Sequence, residues 1–258
     1  MTVSTHVVDV HALSTSAGGG DAISARATVG PSTGFPALEQ HLLSCANGRF
    51  SPRATGQAEE VLFVIAGTGV LRLAGVAHEL ERESGAYLAP GESYEIENRG
   101  ADTLELVAVR IPPDPLSGAG PADGAPRAVV RRLADQQAEA ATAAREFRIV
   151  ADPETGLSSA THFVGYIPSG RAPDHFHTYD EVIFVLEGEG ALHAQGAQTP
   201  VAAGSCIQLP ARVVHCLENK GGDVMRVVAV FRPAGSPAAA YYPDGTPASP
   251  EAPSLEAS

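Results

Sequence analysis

The chain has 258 residues, 44% hydrophobic and 18% charged, with a formal net charge of −13. That acidity argues against nucleic-acid binding, because neutralising phosphates needs a basic face, and Lys220 is the only lysine. No run approaches the roughly 18 apolar residues of a membrane helix. The first residues, MTVSTHVVDV, lack the basic start and apolar core of a secretory signal. Cys45, Cys206 and Cys216 form an odd set with no Cys-x-x-Cys pair. That pattern fits reduced thiols, so a cytoplasmic protein is expected.

Residues 1–36 read as a weakly patterned N-terminal extension, with turns at Gly18–Gly20 and Gly30-Pro31-Ser32; His6 and His11 have no partners at a ligand-like spacing. Residues 37–112 carry short apolar runs broken by glycine and proline, the mark of a β-barrel or sandwich. An internal repeat is present. Glu60-Val-Leu-Phe-Val-Ile-Ala-Gly-Thr-Gly69 matches Glu181-Val-Ile-Phe-Val-Leu-Glu-Gly-Glu-Gly190 at an offset of 121, which also carries Asn98 onto Asn219 and Val107-Ala-Val109 onto Val228-Ala-Val230. Two copies of one barrel are the economical reading. Between them, residues 113–147 read as a Pro/Gly-rich linker, Pro112 to Arg127, and then a helix from Arg131 to Phe147, favoured by Ala, Gln and Glu. The second barrel is expected over 148–233, its first strand running from Ser158 to Ile167 after the turn Asp152–Gly156. The Pro/Ala/Ser-rich tail, 234–258, is expected to be disordered beyond about Asp244.

Two stretches of the second copy carry chemistry. In Gly170 to Gly190, His175 and His177 are one residue apart and Glu181 follows four residues on. Side chains at i and i+2 of a strand share a face, so the two imidazoles can enter one interior. With a carboxylate they suit a divalent transition metal. Gly204 to Asn219 contributes His215 after a Pro210 turn.

These paired motifs resemble those of the cupin superfamily: glycine, His-x-His, Glu and glycine in the first; glycine, proline, histidine and asparagine in the second. Gly170 stands one residue closer to His175 than is usual, and Arg212 stands where a glycine is usual. The resemblance covers both halves. It implies an all-β bicupin of two tandem jelly-roll barrels joined by a short helix. It also implies one divalent metal (Mn, Fe, Ni or Co) held by His175, His177, Glu181 and His215. The first copy has lost those ligands: through the offset, His175 maps to Ala54, His177 to Gly56, Glu181 to Glu60 and His215 to Tyr94 or Glu95.

Alternation groups His162 with Tyr166, and Cys206 with Gln208; His162, Tyr166 and Gln208 are candidate substrate contacts, whereas Asp180 is expected to face away from Glu181. The first functional reading is a dioxygenase resembling the quercetinases, with Glu181 as both ligand and catalytic proton acceptor and dioxygen as co-substrate. The second is a non-redox lyase, isomerase or hydrolase of a small acid or amide, and the third a non-catalytic metal-dependent sensor. A small-molecule substrate is the expected partner, with neither nucleic acid nor membrane; a homodimer is left open.

Overall fold

The computed structural model describes residues 4–17, 23–113 and 127–255. The expected turn at Gly18–Gly20 and the linker residues 114–126 lie outside them. The described residues form 22 strands, four short 3-10 turns and no α-helix, and none crosses a membrane as a helix.

Each half is a sandwich of one seven-stranded and one smaller sheet. In the first half the large sheet centres on the strands Glu59–Ala66 and Leu104–Ile111, paired antiparallel; in the second, Asp180–Glu187 and Met225–Arg232 pair in the same way. The offset of 121 therefore relates like strands. The asparagines at its ends repeat even their contacts. Asn98 Nδ2 donates to Cys45 O and Asp102 O, and Asn219 Nδ2 donates to Ile167 O and Asp223 O.

The central strands are buried on both faces, which is why they read as unbroken apolar runs. Alternate side chains enter different cores. Leu62 and Val64 fill the first barrel, and Ile183 and Val185 fill the second. Val61, Phe63, Val182 and Phe184 meet in a third core between the two large sheets. Gly85 lets the halves approach: a methyl there would lie 2.1 Å from Val150 Cγ1. Glu59, 5% exposed, latches the interface, accepting from Tyr87 Oη (2.9 Å), Ser158 N (2.8 Å), Ser159 N (3.1 Å) and both serine hydroxyls.

Strand exchange ties the halves further. The strand His6–Asp9, in the stretch read as an extension, pairs with Ser205–Leu209 of the second barrel. Reciprocally, Val130–Arg132 pairs with Ser84–Leu88 of the first.

The helix expected over Arg131–Phe147 is absent. The segment runs through Val130–Arg132, a 3-10 turn at Leu133–Asp135, the strand Glu139–Ala140 and the start of Glu146–Ala151. Helix propensity is a weak bias, and here it yields to pairing with Ser84–Leu88 and Thr161–Ile167. The tail departs from expectation too. Residues 236–255 fold back on the second barrel, with Tyr241 and Ala252 1% and 6% exposed. Alanines and prolines give little apolar area of their own, but Phe176 supplies the surface they pack against.

Candidate metal centre

His175 and His215 face each other across a two-residue bridge, each donating its amide to the other's carbonyl at 3.0 and 2.8 Å. His177 enters beside them. The ring centroids lie 4.8 to 5.4 Å apart, and one nitrogen from each ring falls within 4.8 Å of the others. Each Nδ1 meets a carbonyl oxygen: Pro173 O for His175 (2.9 Å), Ala239 O for His177 (2.7 Å) and Val213 O for His215 (2.8 Å). A carbonyl only accepts, so each Nδ1 carries the proton and each Nε2 keeps its lone pair. That is the tautomer a metal-ligating histidine needs. Burial lowers the pKa of all three, His215 to about 3, which keeps them neutral as ligands must be. The residues thus fit a divalent transition metal.

Glu181, on the same strand face as Ile183 and Val185, lines the same cavity. Burial pushes its carboxyl up to about 8, against a downward pull from Arg145. The cavity measures about 90 Å³ and is otherwise mostly apolar, with Phe163, Ile183, Leu209, Leu217 and Val227 in its wall. Arg212, where a glycine is usual, has the left-handed backbone that glycine favours (φ 63°), and its amide donates to His177 O at 2.7 Å.

The candidate substrate contacts separate. Tyr166 borders the cavity while packing partly against the inter-barrel core. His162 and Gln208 do not reach it. His162, 1% exposed, lies edge-on to Phe63 between the barrels, and its Nδ1 has no hydrogen-bond partner among the described residues. Gln208 accepts from Thr33 Oγ1 (2.7 Å) and donates to Ser4 O (2.8 Å), anchoring the N-terminal segment. The alternation pairs the right residues, but that face meets the other barrel. Asp180 accepts from Ala211 N at 2.9 Å, away from the histidines.

Sequence reasoning missed two contributors. Tyr179 stacks on His177 (centroids 4.6 Å apart) and on Phe231 (3.8 Å); its i+2 spacing from His177 was the available signal. Arg145 lines the cavity from the hairpin turn joining Glu139–Ala140 to Glu146–Ala151, and donates to Leu217 O at 2.6 Å. The turn passes through Ala143 and Ala144, both left-handed (φ 57° and 56°). Two alanines in that region cost about 1–2 kcal/mol each, strain of a kind concentrated at functional sites. Nothing in a segment that reads as helix points to this residue.

In the first barrel the equivalent place is filled differently. Tyr94 stands at the His215 position and pairs with Arg53 as His215 pairs with His175. Arg53 therefore takes the place the sequence offset assigns to Ala54, because the connection from Arg53 to Glu60 is one residue longer than that from His175 to Glu181. Arg53 Nε donates to Tyr94 Oη (3.2 Å), which donates to the buried Glu60 (2.9 Å); Arg110 lies 3.5 Å from the other Glu60 oxygen. Protein cations and a tyrosine occupy what is a histidine cluster in the second half.

Among solved structures the fold is similar to YlbA from Escherichia coli (TM-score 0.75, 15% identity, 89% of this chain and 91% of that one). It is also similar to a putative glyoxylate-induced protein from Pseudomonas aeruginosa (TM-score 0.74, 20% identity, 89% of each chain). A mutant of Bacillus subtilis oxalate decarboxylase aligns over 90% of this chain and 78% of its own (TM-score 0.69, 14% identity). An uncharacterized protein of Streptomyces coelicolor is 40% identical over 57 residues, 22% of this chain and about half (53%) of that relative. Residues 162–231 match the cupin domain family, and they form the second of two tandem cupin barrels in a bicupin fold.

Proposed function

We propose that the protein is a single-metal enzyme acting on a small carboxylate in its second barrel. The observation that carries this reading is Arg145, a guanidinium lining the same cavity of about 90 Å³ as the three histidines and Glu181. An arginine fork matches a carboxylate and strengthens as water is excluded. A divalent metal held by His175, His177 and His215, with Glu181 as fourth donor, would polarise a bound oxygen. Arg145 would pair with the carboxylate end of the substrate, and the apolar wall would keep water away. Glu181 lines the same cavity but is not one of the three clustered histidine ligands, and it would either move in to complete the ligand set or take up a proton.

The cavity size weighs against the quercetinase-like reading. Pockets for drug-sized ligands run to roughly 300 Å³ and above, so a flavonol does not fit the space beside the histidines. Dioxygen does fit, and an oxidative reaction on a small acid is the second reading. The resemblance in fold to oxalate decarboxylase is compatible with either chemistry.

The test is a panel of two- to four-carbon mono- and dicarboxylates given to protein loaded with Mn or Fe, with oxygen uptake and carbon dioxide release followed together. Turnover of a small acid whose KM rises in Arg145→Gln supports the proposal, and oxygen consumption selects the oxidative reading. Turnover confined to uncharged or flavonol substrates, indifferent to Arg145, overturns it.

A further inference from the structure

Two of the three ligand histidines are oriented by their own neighbourhood: the carbonyls that hold His175 and His215 are each two residues away in sequence. His177 differs. Its Nδ1 donates to Ala239 O, 62 residues away in the tail. The tail is fastened at that point as if it were an extra strand on the ligand segment. Phe176 and Tyr241 exchange backbone hydrogen bonds at 2.9 and 3.0 Å, and their rings stack with centroids 5.4 Å apart. Beyond them, Tyr241 Oη donates to Pro253 O (2.8 Å), Ser249 Oγ to Ala238 O (2.6 Å) and Ala248 N to Ala240 O (2.8 Å), while Ser236 hydroxyl meets Glu251. Pro237 reaches the cavity wall itself.

We infer that residues 236–255 are a positioning strap of the metal centre: seated on Phe176, they present the Ala239 carbonyl that fixes the ring and tautomer of His177. The barrel itself supplies the acceptors that fix the tautomers of two ligands, and the seated tail supplies the acceptor for the third. Partners that orient a ligand histidine are worth about 10–100-fold in metal affinity, so unseating the tail weakens binding by that factor. Coupling between two sites is reciprocal. Metal binding therefore tightens the tail as well.

This inference rests on the metal-centre reading and is independent of the substrate. The test uses Zn(II), competed against a chromophoric chelator, on the full-length chain. Tyr241→Ala removes the ring that stacks on Phe176 and is expected to weaken Zn(II) binding at least 10-fold. Tyr241→Phe keeps the ring and is expected to stay within a few-fold of wild type. Hydrogen exchange on the unaltered protein gives a second readout: the Phe176 and Tyr241 amides should exchange more slowly with Zn(II) bound, whatever the fate of the alanine variant. If wild type binds no Zn(II), the metal-centre reading falls and this inference with it. If wild type binds but Tyr241→Ala binds equally well, or the tail amides do not respond to Zn(II), the strap inference alone is overturned.

Discussion

His162 offers a quantitative test of how the two barrels are joined. It is buried beside Phe63 with an unpartnered Nδ1, and burial alone lowers its pKa from 6.5 to about 3. In the folded protein it stays neutral; in the unfolded chain it protonates near 6.5. The unfolded state thus binds more protons between those values, so stability is complete above pH 6.5 and drains as the pH falls toward 3. At pH 5 the loss is about 2 kcal/mol by the linkage relation, set almost wholly by the unfolded-state value once the folded one is below 4. His162→Leu removes both the titrating group and the unpaired nitrogen at nearly constant volume. Urea unfolding of chelator-treated protein at pH 7.5 and pH 5.0 should show wild type losing about 2 kcal/mol more than the variant. The ligand histidines are present in both proteins and cancel in the comparison. Equal losses in the two proteins would refute a neutral histidine sealed between the barrels.

Elemental analysis should find one tightly bound transition-metal ion per chain; His177→Ala should lose most of it and Ala54→Ser none, whereas two ions per chain would contradict the Arg53–Tyr94–Glu60 arrangement in the first barrel. Glu59→Ala leaves two serine amides and the Tyr87 hydroxyl without their acceptor, at a cost of about 3 kcal/mol or more; an unchanged urea midpoint would show that Glu59 is no latch. A chain beginning at residue 127 lacks the His6–Asp9 strand and bares Val182, Phe184, Val228 and Val230. Size-exclusion chromatography should find it aggregated, and a soluble monomer with full metal affinity would show that the second barrel does not depend on the inter-barrel core.

The amino-acid sequence by itself determined the repeat, the β class and the histidine set. Each is a local or periodic property: an i, i+2 spacing puts His175 and His177 on one face, and an offset of 121 needs only comparison of the chain with itself. Sequence also determined which residues share a face, grouping His162 with Tyr166, which packs in part against the inter-barrel core, and Cys206 with Gln208. It did not determine which face is the pocket, since both sides of these strands are buried and apolar, one against the barrel interior and one against the other barrel. Only tertiary structure decided that His162 and Gln208 belong to the interface, because the partner surface comes from residues far away in the chain. The same holds for the segments that propensity misread. Arg131–Phe147 is helix-favouring and the tail is too poor in apolar side chains to fold alone. Each was ordered by long-range pairing, to Ser84–Leu88 and Thr161–Ile167 in one case and to Phe176 in the other. Arg145 and the Ala239 carbonyl reach the histidines from those two segments, so the parts of the site that composition hid are the parts that fold only against the rest of the protein.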